Sequence, residues 1–387
     1  MKISDRALSI VPSLTRALFN KAKLYDDCID LTLGDPDFNT PQQIKEAGIN
    51  AIINNCTHYS ANAGIAGARE ATAERIKNIW KVACNPDKNV IITVGGMEAI
   101  YLSLLTLVDP GDEVIIFAPY YVNYVQMVIM CGGEPIIIDS YDSNSGIKID
   151  ENVLESKITD KTVAIILNSP NNPTGGIIPK ESLAVVTELA EKYDLTIISD
   201  EVYRTLTYDN IEHQSVLQFE NAKERTILID SLSKEFSMTG WRVGYAFAPE
   251  NIIENMIKLQ ENVAACTTVP SQWALIEAYN NNIDVGYMLS EFQKRRDCVC
   301  ESLASIPLLR FYKPQGTFYL FIDISELGID SVEFAYRLLD SKHIAVVPGK
   351  AYGDNFDNYI RIAFVKDVEI LTIAMKKMAD FITELSG

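Results

Sequence analysis

Between Asn89 and Ala248 the chain repeats one pattern seven times: a short apolar run rich in Val and Ile, then in most intervals a stretch long enough for an amphipathic helix. The runs are Asn89–Val94, Glu113–Phe117, Pro135–Asp139, Val163–Asn168, Thr196–Asp200, Thr226–Asp230 and Gly244–Ala248. Helices are expected at Glu98–Leu107 and Lys180–Tyr193, and the turn D-P-G-D at Asp109 to Asp112 announces the second strand. Strands separated by helix-length crossovers form a mostly parallel sheet with helices on both faces. The expectation is therefore an α/β fold with a seven-stranded sheet. Ligands of such sheets sit beyond the carboxyl ends of the strands.

After about Asn281 the pattern changes. A long helix over Val285–Ile306, strands at Phe318–Asp323 and Tyr359–Ala363, and helices at Ser331–Lys342 and Val368–Leu385 predict a smaller α+β unit. Residues 46–284 are expected to form the large domain, and residues 1–45 with 285–387 the small one, a division in keeping with 387 residues. The balance of 34 Lys+Arg against 52 Asp+Glu gives a net charge of -18, which argues against nucleic acid or an anionic membrane as partner. Polar residues interrupt the N-terminus before a signal-peptide core forms, and no apolar run approaches the ~18 residues of a membrane span. Seven cysteines with no C-x-x-C pair suit a reducing cytoplasm.

Three predicted strand ends carry polar clusters: N-S-P-N-N-P-T-G from Asn168, S-D-E-V-Y around Asp200, and D-S-L-S-K from Asp230. Neither a G-x-G-x-x-G nor a P-loop pattern occurs, and the three histidines, His58, His213 and His343, lie far apart, so dinucleotide and metal chemistry lack their usual ligands. Acid and base work falls to other groups, and lysine is the natural candidate. A buried lysine near a second cation can shed its proton near neutral pH and attack a carbonyl. Lys234 stands eight residues before Arg242 in D-S-L-S-K-E-F-S-M-T-G-W-R-V-G-Y. Ser231, Ser233 and Arg242 resemble a phosphate cradle, and Gly95, Gly96 and Met97 at a helix start offer backbone N–H groups to the same anion. A cofactor with both an aldehyde and a phosphate, pyridoxal 5'-phosphate, satisfies these demands together. Its ring nitrogen calls for a buried carboxylate, for which Asp200 is placed; Tyr203 and Asn172 suit its hydroxyl, and Tyr121 its ring face.

With these residues in view the chain resembles the fold-type I, pyridoxal-phosphate-dependent aminotransferases of class I/II, in the branch of bacterial aspartate and aromatic aminotransferases. The resemblance runs through L-T-L-G-D-P-D-F-N-T-P, Y-S-A-N-A-G-I-A-G-A-R-E, T-V-G-G-M-E-A-I, A-P-Y-Y-V-N-Y, N-S-P-N-N-P-T-G, S-D-E-V-Y, S-L-S-K-E-F-S-M-T-G-W-R-V-G-Y, P-Q-G-T-F-Y, V-V-P-G-K-A-Y-G and Y-I-R-I-A-F, in that order. It implies that Lys234 holds the cofactor covalently and later moves a proton between the substrate α-carbon and the cofactor. It also implies that Asp200, Tyr203 and Asn172 hold the ring and that Ser231, Ser233, Arg242, Gly96 and Met97 surround the phosphate. Arg361 would clamp the substrate α-carboxylate with Asn172 and the Gly34 backbone. Tyr59 would reach the phosphate of a neighbouring subunit, which makes the expected assembly a homodimer with shared active sites. The implied reaction is transfer of an amino group from an L-amino acid to a 2-oxo acid by a ping-pong route.

Met97 departs from the pattern: aspartate-preferring members often carry a lysine there to hold the substrate's distal carboxylate. Lys350 and Arg16 are the bases offered in its place. Taken singly, each residue has a plainer explanation. A lysine after a strand is usually a solvated charge, N-P-T-G is a turn in any protein, and Arg361 is equally well an outward residue of an edge strand. One ligand accounts for all of them, whereas the plainer explanations multiply. Two rival functions use the same fold, a carbon–sulfur β-lyase and a non-catalytic ligand sensor. A sensor that regulates transcription would need a DNA-binding segment, for which the sequence before the family pattern has neither length nor charge.

Overall fold

The computed structural model describes residues 2–12, 14–281 and 283–386. The seven apolar runs become β1 (Val90–Thr93), β2 (Glu113–Ala118), β3 (Glu134–Asp139), β4 (Thr162–Asn168), β5 (Thr196–Asp200), β6 (Thr226–Ser231) and β7 (Gly244–Phe247). They form one sheet in the order β1-β7-β6-β5-β4-β2-β3, parallel throughout except for β7, which runs antiparallel to both neighbours. Because the pleat alternates, neighbouring residues of one strand enter different cores. Ile116, Ile166 and Ile198 pack on one face with the helix Asn123–Cys131, whereas Ile115, Ile165 and Ile197 pack on the other with Lys180–Lys192. Both faces of the inner strands are buried, which explains their apolar runs, whereas the edge strand β3 is partly exposed.

The reversal of β7 matters for the site. Gly244 pairs with Thr93 on one side and Ser231 on the other, so the start of β7 lies level with the ends of β1 and β6. Arg242, just ahead of β7, thereby reaches the same edge as the carboxyl ends of the parallel strands.

The C-terminal unit contains a three-stranded antiparallel sheet of β8 (Tyr319–Asp323), β9 (Val347–Pro348) and β10 (Tyr359–Ala363), with β10 in the centre. Helices Gly286–Ala304, Ser331–Lys342 and Val368–Ser386 accompany it. Part of the N-terminal region packs here: Ile29 and Asp30 pair in parallel with Ile344 and Ala345, and Leu18, Ala22 and Leu31 enter the same core. The helix Gln42–Ile53 packs instead on Val269–Asn280, with Ile44 in the core beside β1. Further toward the N-terminus the chain reaches the helix Asn123–Cys131 that covers the large sheet, where the Val11 amide donates to Gln126 Oε1 at 3.1 Å. Among the described residues no helix is long and apolar enough to cross a membrane.

Candidate active site

A cavity of about 390 Å³ opens where the carboxyl ends of the large sheet meet the small unit and the N-terminal segment. Of the residues singled out from the sequence as cofactor or substrate contacts, all except Gly95, Tyr59 and Lys350 line it. Gly95 lies directly behind the lining, buried with φ +75°, a left-handed conformation that favours glycine; a Cβ there would stand 2.7 Å from the Arg242 guanidinium, which would have to shift. Tyr59 is 89% exposed and does not line this chain's own cavity.

Each wall has a local cause. Ser231 ends β6 and caps the short helix Leu232–Glu235, its hydroxyl accepting the Ser233 N–H at 3.2 Å and donating toward Ser233 Oγ and the Val243 carbonyl. That turn projects Lys234 into the cavity, where Nζ donates to the Gly34 carbonyl at 2.7 Å. Arg242, in the left-handed region at φ 51°, donates to the Thr239 carbonyl at 2.9 Å. The helix Gly95–Leu107 starts at the same edge, and the Glu98 carboxylate turns back to accept the Val94 amide at 2.5 Å, leaving the first-turn N–H groups of Gly96 and Met97 without intrahelical acceptors.

The loop after β4 is built from its own side chains. Asn168 Nδ2 donates to the Asp200 carbonyl at 3.1 Å while its Oδ1 accepts the Asn172 amide at 2.9 Å. Asn172 is thereby held against β10, where its Oδ1 accepts Arg361 Nη1 at 3.2 Å. Arg361 is only 5% exposed, and its Nη2 donates to the Thr32 carbonyl. Its guanidinium lies 4.3 Å from the centre of the Tyr319 ring and 5.3 Å from that of Tyr352. A central strand and this burial rule out the outward, edge-strand placement that alternation alone allows. Its Nε is buried and has no hydrogen-bond partner in the structure.

Charge is distributed unevenly. Burial pushes the Lys234 amine down to about 8; Asp35 opposes the effect, and Arg242 and Arg361 add to it. Burial pushes the Asp200 carboxyl up to about 6, against a hydrogen bond from Tyr124. Tyr203 is 4% exposed, and burial raises its phenol well above the usual tyrosine range, as does the neighbouring Tyr319, whose hydroxyl lies 3.2 Å away. Burial raises Tyr121 to about 12; its hydroxyl points at Met97 Sδ, 3.5 Å away, and accepts Asn123 Nδ2 at 3.0 Å. A depressed amine, a buried carboxyl and a half-satisfied guanidinium in one cavity equip it to bind a small anionic carbonyl or amino compound and to move a proton within it.

Sequence reading missed Tyr124, Tyr319, Tyr352, Thr32, Thr15 and Asn123 at this cavity. Tyr124, Asn123 and Tyr319 lie inside the quoted motifs A-P-Y-Y-V-N-Y and P-Q-G-T-F-Y, and that membership was the available signal. Of the two bases offered in place of a lysine at Met97, Arg16 lines the cavity and Lys350 does not. Lys350 is paired with Asp357 at 3.0 Å.

A mostly parallel α/β frame with a lysine, an aspartate and two arginines converging on one cavity defines a fold-type I pyridoxal-phosphate enzyme. The model of aminotransferase class I and II matches residues 26–377, and the chain belongs to that family. It is 38% identical to an aspartate aminotransferase of Pyrococcus abyssi over 99% of both chains, and 37% identical to aromatic-amino-acid aminotransferase 2 of Thermococcus litoralis over 99% of both. The solved aspartate aminotransferase of Thermotoga maritima superposes with a TM-score of 0.93 at 35% identity, covering 98% of this chain and 100% of that one. That of Thermus thermophilus with maleate gives 0.93 at 34%, covering 98% and 99%. The chain is a pyridoxal-phosphate-dependent aminotransferase of the aspartate/aromatic type.

Proposed function

We propose that this cavity binds pyridoxal 5'-phosphate on Lys234 and exchanges amino groups between L-amino acids and 2-oxo acids by a ping-pong route. The observation that carries the reading is the convergence of Lys234, Asp200 and Arg361 on one cavity from three separate parts of the chain. The donor set fits the cofactor. A buried carboxyl stands ready for a ring N–H, two serine hydroxyls and Arg242 gather beside the glycine turn, and the idle Arg361 Nε awaits an anion.

Bound there, the cofactor supplies an aldehyde that takes up the amino group and a ring that withdraws electrons from the α-carbon. Lys234, with its amine lowered to about 8, is available as a base at working pH and moves the proton at the substrate's α-carbon. Arg361 grips the α-carboxylate, steadied by Asn172, and the Gly34 backbone lies within reach of the same group. Asp200 holds the ring nitrogen, and Tyr203 and Asn172 hold the ring hydroxyl. Ser231, Ser233, Arg242, Gly95, Gly96 and Met97 form the phosphate cradle, and Tyr121 covers the ring. The large domain comprises residues 46–284 and the small domain residues 1–45 and 285–387.

We further propose a homodimer. Ile49, Ile52 and Ile53 on one helix, with Val263 and Trp273, leave large apolar side chains exposed, and the exposed Tyr59 is free to complete a neighbour's phosphate site. Seven unpaired cysteines favour a cytoplasmic setting.

An absorption spectrum of the protein with pyridoxal phosphate, before and after adding single amino acids, tests the reading. The expected result is a visible band that bleaches on adding an amino donor, with one equivalent of oxo acid released. Continuous pyruvate release from cysteine-like substrates without bleaching would replace the transferase by a lyase, and absence of any bound chromophore would overturn the cofactor assignment.

A further inference from the structure

Tyr124 has no part in the assignments above, yet its hydroxyl is the side-chain donor to the Asp200 carboxylate. Asp200 Oδ2 accepts that hydroxyl at 2.5 Å, and Oδ1 accepts the Val202 amide at 3.3 Å. The contact follows from the pleat. Asp200 stands two residues after Ile198 and so faces the same side of the sheet, toward the helix Asn123–Cys131 that bears Tyr124 in its first turn. Tyr124 is 2% exposed and its ring meets Tyr121 edge to face, with centroids 5.5 Å apart. A phenylalanine would fill this space equally well, so packing does not account for the hydroxyl.

Burial, and then the charge of Asp200, raise the Tyr124 phenol well above its usual range, so it remains a proton-bearing donor. A hydrogen bond donated to a carboxylate favours the ionised form and makes it a weaker base. Burial acts in the opposite direction and brings Asp200 up to about 6; Asp230 and Glu201 add to the rise, and Tyr124 is the largest influence against it. The other titratable groups that face Asp200 are Tyr121, Tyr203 and Lys234.

We infer that Tyr124 is a positioning residue: its hydroxyl keeps Asp200 the weaker base of the pair formed with the cofactor's ring nitrogen, so the shared proton stays on the ring. Without the hydroxyl the proton moves from the ring nitrogen to the Asp200 carboxylate, both partners become neutral, and the ring withdraws electrons less strongly. This inference rests on the cofactor reading proposed above.

The test uses holoenzyme loaded with pyridoxal phosphate labelled with 15N in the ring, titrated with pH by NMR. Three proteins are compared: wild type, Tyr124→Phe, and a protein with 4-aminophenylalanine at position 124, whose N–H is a weaker donor on the same ring. The ring nitrogen of the Phe variant is expected to lose its proton about one to two pH units below wild type, with the amino variant between them. Turnover should fall about tenfold to a hundredfold in the Phe variant, with little change in KM for the amino donor. If the Phe variant does not fold, the shift between wild type and the amino variant decides. Coincident titrations in well-loaded holoenzymes overturn this inference alone, whereas a wild-type protein that takes up no cofactor overturns the cofactor reading as well.

Discussion

The two halves of the cavity are built differently. The half at the large-sheet strand ends is rigid: Asp200, Tyr203, Ser231 and Ser233 are all under 8% exposed, and most are hydrogen-bonded to one another's neighbourhoods. Behind it stands an ionic layer. Asp230 accepts Arg204 Nε at 2.7 Å, and Arg204 and Arg75 both reach Glu235, the residue next to Lys234. The half formed by the N-terminal segment is more open. Thr15 is half-buried and Arg16 exposed on the helix Leu14–Ala22, at the rim. Arg361 belongs to the rigid half by burial, although it comes from the small unit. On the proposed reading, the chemistry common to all substrates falls to the buried half, and the part that would face the variable side chain falls to a surface helix, where substitution is tolerated.

This contrast can be broken by experiment. Lys234→Ala should remove turnover by on the order of 10⁴-fold, since the proton-transfer group is lost, while circular dichroism stays that of the wild type. Retained turnover would dissolve the rigid half as a catalytic unit. Arg204→Met should lower stability by about 3–5 kcal/mol, because it strands the buried Asp230 charge. A melting temperature within a degree of wild type would show that the ionic layer does not support the lysine turn. Arg361→Leu should weaken donor binding on the order of a hundredfold, seen mainly in KM, and an unchanged KM would remove it from the substrate site.

The fourth measurement uses pH. Only the free amine attacks an aldehyde, and the Lys234 amine lies at about 8 instead of the ordinary lysine value. Cofactor capture by the apoprotein should therefore speed up about tenfold per pH unit below pH 8 and level off above it. A rate still rising through pH 10 would mean that burial does not depress the amine. The smallest effect belongs to the open half. Arg16→Ala should reduce turnover of aspartate or glutamate by a few-fold to about tenfold and leave aromatic donors unchanged, as befits an exposed charge. Equal losses for both donor classes would mean that Arg16 shapes the cavity without reading the substrate.

Much of the frame was legible in the chain. The seven apolar runs became the seven strands to within a residue or two, because burial on both faces leaves a local signature. Lys234, Asp200 and Ser231, which line the cavity, were legible as candidates because each ends or follows a strand that the apolar pattern marks. Tyr124 was passed over because its value lies in Asp200, 76 residues away, and nothing near it in sequence signals that partner. Lys350, a candidate replacement for the lysine absent at Met97, turns its side chain to Asp357, a pairing that no local pattern signals.

What the sequence by itself determined was the alternation of elements and the chemistry parked at their ends, since both depend on the identity and period of neighbouring residues. Only the tertiary structure decided the direction of β7, which brings Arg242 to the edge of the sheet where the cavity opens, and the burial of Arg361 in a central strand against Asn172, 189 residues distant. It also decided the return of the N-terminal chain to the cavity, where Gly34 meets Lys234 across 200 residues. The reason is physical: strand period and helix amphipathicity are local, whereas strand order and the contacts between strand ends emerge only when distant segments bury their surfaces against one another.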